Sequence, residues 1–199
     1  MLDTVLLELE GVITDTAEAR RDAILAALRT EGLDLAEDAY REHCAGLGLE
    51  DAARAALRSA DRPLDEITIS LIALRAERAY RAYLGKGLTL VEGARETLER
   101  LHDTARLGLV TRAGRDEATF VLSLARLEHL FTCVIAAEDA PAKPSPEPYR
   151  RALARLHHAR ARAVRGLVVA LEDGLPGIRA ARAAGMSSVV VGDVPAHVA

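Results

Sequence analysis

The 199-residue chain has little aromatic or sulfur content: it contains no tryptophan, two phenylalanines, four tyrosines and two cysteines. The cysteines, Cys44 and Cys133, are too few for a disulfide framework. They also lack the spacing of a zinc site or a redox pair. We therefore interpret both as buried, reduced thiols of a cytoplasmic protein.

The sequence also lacks long apolar runs and any excess of positive charge. No apolar stretch approaches the ~20 residues that a membrane-spanning helix needs, and no basic segment followed by a cleavable apolar one opens the chain. The formal net charge is -4, which argues against nucleic acid or anionic lipid as a partner. We expect a soluble protein without membrane or nucleic-acid partners. Its oligomeric state stays open.

Strand and helix patterns alternate along most of the chain, which predicts an α/β fold with a parallel sheet. The predicted strands cover residues 5–9, 107–110, 133–137, 166–171 and 188–191. The predicted helices around them cover residues 17–29, 93–102, 116–127, 148–157 and 175–184. The strand at 166–171 is almost wholly apolar, as is typical of a central parallel strand that is buried on both faces.

One segment interrupts this alternation. Helical patterns follow one another at residues 35–44, 50–59 and 64–84, with no strand pattern among them. Glycine-flanked joints near residues 14 and 87 look like hinges. We expect residues 1–15 and 87–199 to form an α/β core domain, and residues 16–86 to form an inserted all-helical domain.

Polar residues follow four of the predicted strands, at the carboxyl ends where an open parallel sheet binds ligands. Glu8 and Glu10 end the first strand, and Thr111 follows the second. Lys143 lies in the loop after the third strand, and the pair Glu172–Asp173 ends the fourth. Taken singly, glutamates at a strand end are usually a solvated edge, and a loop lysine is usually a surface residue. Their convergence at one edge is what indicates a site.

These residue types suit phosphoryl transfer. That reaction needs an in-line carboxylate, a cation beside the phosphoryl oxygens and a proton donor for the leaving group. Crowded acids also need a divalent ion to offset their repulsion, and oxygen-only ligands favour Mg2+ over zinc. The main-chain amides of residues 9 to 11 and 112 are expected to form an anion cradle.

The segment at residues 8–15, Glu-Leu-Glu-Gly-Val-Ile-Thr-Asp, resembles the first motif of the haloacid dehalogenase-like (HAD) superfamily. That family has aspartate at the positions of Glu8 and Glu10. Residues 143–149, Lys-Pro-Ser-Pro-Glu-Pro-Tyr, and residues 172–178, Glu-Asp-Gly-Leu-Pro-Gly-Ile, are similar to its later motifs. The resemblance extends from residue 5 to about residue 191.

The resemblance implies a Rossmann-like parallel sheet core, the HAD fold, with a helical cap. The cap position is similar to that of the β-phosphoglucomutase and phosphoglycolate phosphatase branch. Three sets of site residues are implied as well. The catalytic set is Glu8, Glu10, Thr111 and Lys143. The Mg2+ set is Glu8, Glu10 through its main-chain carbonyl, Glu172 and Asp173. The substrate-binding set is Thr16, Arg20 and Arg112.

The two glutamates depart from the family pattern, and this departure leaves two functions open. An extra methylene moves the reactive oxygen by about an ångström, a displacement that can cost ~10²-fold in rate. The first function is an impaired, Mg2+-assisted phosphohydrolase of a small phosphorylated metabolite. The second is a catalytically inactive HAD-fold protein that binds metal or a phosphometabolite in a regulatory or interaction role. A dehalogenase is disfavoured, because Glu172–Asp173 is similar to the metal pair of the phosphatase branch.

Overall fold

The computed structural model describes residues 2–158 and 166–192, with the main chain alone at residues 157 and 158. Contacts between Cα atoms divide the chain into two compact units, Met1–Asp15 with Thr89–Ala199 and Thr16–Leu88. We call the first the α/β unit and the second the helical unit. Within the described residues, no helix is long and apolar enough to cross a membrane.

Five consecutive helices follow the first strand, four in the helical unit and one in the α/β unit, and strands and helices alternate after them. In chain order the elements are β1 (Leu2–Leu7), α1 (Ala17–Arg29), α2 (Glu37–His43), α3 (Leu49–Ser59), α4 (Glu66–Leu84), α5 (Ala94–His102), β2 (Arg106–Val110), α6 (Arg115–Ala125), β3 (Phe131–Ile135), α7 (Glu147–His158), β4 (Leu167–Glu172), α8 (Leu175–Ala183) and β5 (Ser187–Val190).

The five strands form one sheet in the order β3-β2-β1-β4-β5, and every neighbouring pair is parallel. This arrangement confirms the predicted α/β fold with a parallel sheet. Because β1 lies between β2 and β4, the residues that follow β1 share one edge of the sheet with those that follow β4. The apolar strand at 166–171 was predicted to be a central strand buried on both faces. β4 does lie inside the sheet, between β1 and β5, and β1 is the middle strand. Burial is incomplete along β4, since Leu167 at its start is exposed.

Apolar side chains from the strands and from the helices against them form the core of the α/β unit. Leu6, Val110 and Ile135 on three adjacent strands pack with Tyr149 and Leu156 of α7, and all five are buried. Burial of side chains of this size contributes roughly 1.5–3 kcal/mol each to stability. This core holds the strand ends in place around the candidate site.

The first strand ends earlier than predicted because the chain turns sharply after it. β1 covers Leu2–Leu7 rather than residues 5–9. The carbonyl oxygen of Leu9 accepts hydrogen bonds from the amides of Ile13 and Thr14, both at 2.9 Å. Those bonds curl the main chain and end its pairing with the sheet.

The third strand is also displaced from its predicted position, and it covers Phe131–Ile135 rather than residues 133–137. The carboxylate of Asp139 accepts a hydrogen bond from the amide of Ala136 at 2.8 Å. This bond closes a short 3-10 turn at Ala137–Asp139. This polar cap explains why residues 136 and 137 lie beyond the end of the strand although they are apolar.

The chain leaves and re-enters the α/β unit at adjacent positions. The amide of Asp15 donates to the carbonyl of Thr89 at 3.0 Å, and the amide of Val91 donates to the carbonyl of Ile13 at 3.0 Å. The long helical segment therefore begins and ends at one paired junction, which is what an insertion into a sheet protein requires.

The helical unit has an apolar core of its own. Helices α1, α3 and α4 contribute Ile24, Leu28, Leu57, Ile69 and Ile72, all of them buried. Asp65 caps α4 by accepting a hydrogen bond from the amide of Thr68 at 2.8 Å, an arrangement that stabilises a helix by about 1 kcal/mol. That this unit serves as a cap stays a prediction.

Candidate functional site

Glu8 follows β1 directly, and its carboxylate is buried and fully engaged. Its amide still donates to the carbonyl of Leu171 on β4 at 3.1 Å, so the sheet holds its main chain in place. Its Oε1 accepts from the amide of Leu9 at 2.8 Å, and its Oε2 accepts from Nζ of Lys143 at 2.7 Å. Both carboxylate oxygens therefore have partners within the chain.

Lys143 is the centre of the candidate site. Its buried ammonium group donates to Oε2 of Glu8, to the carbonyl of Val110 at 2.8 Å and to Oε1 of Glu172. An ammonium group has three donors, so Lys143 is fully satisfied. Its Nζ also lies 5.3 Å from the ring centroid of Tyr149. The structure thus brings together three predicted site residues, Glu8, Lys143 and Glu172.

Glu172, at the end of β4, is as deeply buried as its lysine partner. It accepts hydrogen bonds from Lys143 and from the hydroxyl of Tyr149. Gly177, in the first turn of α8, lies so close that a Cβ atom there would overlap the Glu172 carboxyl group. We call Glu8, Lys143, Tyr149 and Glu172 the Lys143 cluster.

The pKa values in the Lys143 cluster reflect two carboxylates that share one ammonium group. Burial and the charge of Glu8 raise the pKa of Glu172 to about 7, although Lys143 and Tyr149 oppose the shift. Burial lowers the pKa of Lys143, but the charges of Glu8 and Glu172 outweigh it and the net direction is upward. Burial also raises the pKa of Tyr149, so its hydroxyl remains a donor. The ammonium form of Lys143 is the stable counter-charge in this cluster.

Asp173 follows the buried Glu172 in the chain and lies at the protein surface. It lies against Gly11, which has φ +75, and a Cβ atom at Gly11 would lie 2.7 Å from Cβ and Cγ of Asp173. Asp173 is exposed, yet partial burial and the nearby charge of Glu8 raise the pKa of its carboxyl group, while Arg112 lowers it. The structure therefore places the acids after β1 and β4 near each other, with Arg112 within electrostatic reach.

Thr111 and Glu10 lie in turns beside the Lys143 cluster. Thr111 is buried at the end of β2, where its hydroxyl accepts a hydrogen bond from the amide of Ala113 at 3.1 Å. Glu10 is half-buried in the turn after β1 and forms a main-chain bridge with Thr14. In this conformation the hydroxyl of Thr111 stabilises its own loop. The catalytic roles of both residues stay predictions.

Two amides of the expected anion cradle already have acceptors. The amide of Leu9 donates to Glu8, and the amide of Gly11 donates to the carbonyl of Thr14 at 2.8 Å. Outside the cradle, at the amino end of α6, the amide of Arg115 donates to both carboxylate oxygens of Glu138, at 3.2 and 3.1 Å. A bound phosphate at the cradle would displace the Glu8 carboxylate from Leu9.

Thr16 and Arg20, the other predicted substrate-binding residues, belong to the helical unit. Both are buried, and both contact Tyr80 of α4. The hydroxyl groups of Thr16 and Tyr80 lie 2.8 Å apart, and the Arg20 guanidinium carbon lies 5.0 Å from the ring centroid of Tyr80. Their role toward a substrate stays a prediction.

Sequence reasoning did not include Tyr149, Gly11 or Gly177 among the site residues. Tyr149 lies in the first turn of α7, a few residues after Lys143, and a tyrosine on a buried helix face usually directs its hydroxyl to a polar partner. That signal was available in the sequence. The two glycines gave no comparable signal, because only the structure reveals which carboxyl group each one accommodates.

The oxygen ligands after β1 and β4 have the chemistry that Mg2+ prefers. Yet among residues 2–158 and 166–192 no three acidic, histidine or cysteine side chains are grouped so as to hold a metal ion. The hydrogen bonds of Glu8 and Glu172 explain this, since both carboxylates face Lys143. The donor set fits Mg2+ in chemistry, while Glu8 and Glu172 are at present paired with Lys143.

Comparison with known proteins gives consistent matches. Residues 5–191 match the haloacid dehalogenase-like hydrolase family. Protein CbbY of Cereibacter sphaeroides is 30% identical over 96% of this chain and 84% of its own length. Pyrophosphatase PpaX of Anoxybacillus flavithermus is 41% identical, over only 31% of this chain and 29% of its own length.

Solved structures give the same picture. CbbY from Rhodobacter sphaeroides, solved in complex with xylulose-(1,5)bisphosphate, is 25% identical and matches with a TM-score of 0.83 over 99% of this chain and 89% of its own. A β-phosphoglucomutase from Clostridium difficile shares the fold with a TM-score of 0.81 at 21% identity, over 97% of this chain and 86% of its own.

Proposed function

We propose that this chain, which belongs to the haloacid dehalogenase-like hydrolase family, is a weakened phosphohydrolase of a small phosphorylated metabolite. The observation that carries the proposal is the buried contact between Lys143 and Glu8 at 2.7 Å, at the end of β1. A phosphoryl group at this edge would meet a carboxylate and a cation together. CbbY, solved with a sugar bisphosphate, favours a phosphorylated sugar as the substrate class.

In this proposal Glu8 and Glu10 stand at the positions of the two catalytic aspartates. Glu8 would attack phosphorus after its carboxylate leaves the amide of Leu9, while Glu10 gives a proton to the departing oxygen. Water, deprotonated by Glu10, would then cleave the bond between Glu8 and the phosphoryl group and release phosphate. Lys143 and Thr111 would hold phosphoryl oxygens. The added methylene of Glu8 and its hydrogen bond to its own neighbour are the physical reasons for weak activity.

Phosphatases of this family generally use Mg2+. In this chain Asp173, Glu172, Glu8 and the main-chain carbonyl of Glu10 would hold the ion, which would supply positive charge beside the phosphoryl oxygens. Because Lys143 already forms ion pairs with Glu8 and Glu172, we expect Mg2+ binding to be weak. The helical unit, predicted from the sequence as residues 16–86, is proposed as the cap. Thr16, Arg20 and Arg112 are proposed as the substrate-binding residues.

A second function is favoured by one specific observation, the engagement of both carboxylate oxygens of Glu8 by Leu9 and Lys143. A carboxylate held in this way cannot attack unless it reorients. In that case the chain would be an inactive member of the family that binds metal or a phosphometabolite for regulation or interaction.

One set of assays separates the two functions. Phosphate release is measured over a panel of phosphorylated sugars and acids, with and without Mg2+, for the wild type and for Glu8→Asp combined with Glu10→Asp. We expect the double variant to be faster by at least ~10²-fold, the effect of correcting an ångström of displacement. Glu8→Asp alone should give most of the gain. Glu99→Asp, on the exposed face of α5, is the matched control and should change nothing.

Two other results would change the assignment. A fast wild type that the double substitution slows would mean that glutamate is the working nucleophile. Inactivity of both proteins across the panel, with calorimetric binding of a phosphometabolite that Lys143→Met abolishes, would support the binding function. Inactivity without any binding would reject both functions.

A further inference from the structure

Helix α4 of the helical unit has two apolar faces, and only one of them is covered. Ile69, Ile72, Ala76 and Tyr80 are buried within the helical unit. The opposite face carries large aliphatic side chains in solvent, and the most exposed of them, Ile67, has 72% of its surface accessible. A surface helix ordinarily presents polar residues on its outer face. A helix that is apolar on both sides is therefore expected to have a second packing partner.

The exposed aliphatic residues follow the spacing of a helix-pairing seam. Ile67, Leu71 and Leu74 are separated by four and three residues, and all three are exposed. This is the a/d spacing by which two helices pack against each other. Arg78 continues the same spacing. We call these four residues the α4 seam.

Charge along α4 determines which orientation of a partner helix is favourable. The amino end carries the acids Asp65 and Glu66. In the second half Arg75 pairs with Glu31 and Arg81 pairs with Glu77 of the same chain, whereas Arg78 has no ion-pair partner among the described residues. Two parallel copies of the helix would place like charges together. Two antiparallel copies would place the acidic end of each beside the basic half of the other.

We propose that the α4 seam is a self-association surface, and that its occupant is the α4 seam of a second copy of this chain in antiparallel orientation. A two-fold axis between Leu71 and Leu74 would make these leucines the apolar centre. It would also place Arg78 beside Ile67 and Glu66 of the second copy. The aliphatic stem of Arg78 would cover Ile67, and its guanidinium group would reach Glu66.

The size of the seam limits the strength of this dimer. Residues 67 to 78 extend about 17 Å along the helix axis. One helix face of that length buries less than the ~800 Å² per partner of a standard interface. The expected product is a weak, concentration-dependent dimer. This inference is independent of whether the chain is an enzyme.

Sedimentation velocity of the full chain, from roughly 1 µM to 1 mM to cover weak interfaces, tests the proposal. The wild type should shift from monomer toward dimer as concentration rises. Leu71→Glu should raise the dissociation constant by at least about tenfold, because it puts a carboxylate at the apolar centre. Leu124→Glu on α6 is the matched control, since Leu124 is 40% exposed and Leu71 is 41% exposed. Its dissociation constant should equal that of the wild type.

A charge exchange tests the antiparallel orientation. Arg78→Glu alone should weaken the dimer, and Arg78→Glu combined with Glu66→Arg should restore it. Glu66 also pairs with Arg54 of its own chain. Arg54→Gln therefore serves as the control that breaks this internal pair without changing the seam.

Three outcomes would overturn the proposal. A wild type that stays monomeric at every concentration would overturn it, because a second copy would then not cover the seam. A dimer that Leu71→Glu leaves intact would place the interface elsewhere. A charge exchange that fails to restore association would reject the antiparallel pair. If circular dichroism shows that Leu71→Glu is unfolded, Ile67→Lys, at the most exposed seam position, replaces it.

Discussion

The two units of this protein bury different kinds of side chain. The α/β unit buries a lysine and two glutamates in direct contact at the edge of its sheet. The core cluster of the helical unit consists of alanine, leucine and isoleucine side chains together with Tyr40 and Cys44. The buried Thr16 and Arg20 of this unit contact Tyr80. Apolar burial stabilises a fold without any need for partners. A buried ion pair loses hydration that its mutual attraction only partly replaces.

This difference distinguishes side chains that a fold needs for stability from side chains that a site needs for its chemistry. The helical unit could exchange one aliphatic residue for another of similar volume with a cost below about 1.5 kcal/mol. The α/β unit has no such freedom at Lys143, Glu8 and Glu172, because removal of one charge leaves the others uncompensated. A buried charge cluster that adds little stability of its own is expected where a protein binds or transforms a ligand.

The largest expected effect comes from Lys143→Met, which keeps the aliphatic stem and removes the charge. Glu8 and Glu172 would then remain buried without a counter-charge. This should lower the free energy of unfolding by about 3–5 kcal/mol. Urea titration at constant pH measures it. Lys86→Met, at an exposed position after α4, is the control and should stay within about 0.5 kcal/mol of the wild type.

A combined variant locates the origin of that loss. Lys143→Met with Glu172→Gln removes one of the stranded charges and should regain part of the lost stability. If the combined variant is no more stable than Lys143→Met alone, the loss comes from packing and not from charge. The contrast between the two units would then be wrong.

The second prediction is the apolar counterpart in the helical unit. Ile72→Ala removes buried aliphatic volume between α4 and its neighbours and should cost about 2–5 kcal/mol through lost transfer energy and a cavity. No second substitution at a charged position should restore it. Thermal unfolding followed by circular dichroism measures the loss, and Leu74→Ala on the exposed face of the same helix is the control. A large effect of Leu74→Ala in dilute monomeric protein would contradict the assignment of the two faces.

The third prediction compares one glycine from each unit. Gly11 and Gly32 both have positive φ, +75 and +68, so alanine is strained at either position by about 1–2 kcal/mol. A Cβ atom at Gly32 would meet nothing within 4 Å, whereas at Gly11 it would press on Asp173. Gly11→Ala should therefore lower the free energy of unfolding by about a further 1–3 kcal/mol, the typical scale of overpacking. Urea titration of both variants measures the difference. Equal losses at both glycines would show that Asp173 moves away freely.

Sequence patterns were sufficient to predict the α/β architecture, because period and turn residues are local properties of the chain. They also predicted that polar residues after β1 and β4 would be near each other, since parallel strands end at one edge. Lys143 could be predicted to belong there because prolines constrain its loop. The order β3-β2-β1-β4-β5 was not predicted, since strand order depends on contacts between distant segments.

The conformation of Glu8 could not be predicted either. Its rotamer depends on the burial of Lys143, on the position of the Leu9 amide that donates to it and on the space around Glu172. None of these is visible in a linear motif. The same holds for Gly177, which is required only because the Glu172 carboxyl group lies against α8. Residue type indicated the chemistry of the site, and packing determined which partners each group has.

The smallest expected effect concerns the two thiols, one in each unit. Cys44 is buried in the helical unit, where burial raises its pKa. Cys133 lies on β3, where burial raises its pKa to about 11. At pH 8 a thiol with that pKa has roughly 100-fold less thiolate than one titrating near 9, and the thiolate is the reactive form. Cys133 in the folded protein should therefore react with a disulfide reagent at least about tenfold more slowly than in urea, and Cys44 should also react more slowly.

Single-thiol variants turn this protection into a separate probe of each unit. Cys44→Ala leaves Cys133 as the reporter of the α/β unit, and Cys133→Ala leaves Cys44 as the reporter of the helical unit. Added to each, Lys143→Met should accelerate labelling of Cys133 by severalfold and leave the rate at Cys44 unchanged, because local opening is governed by the stability of the segment that opens. Equal acceleration at both thiols would mean that the two units open as one. In that case the charge cluster of the α/β unit would set the stability of the apolar helical unit as well.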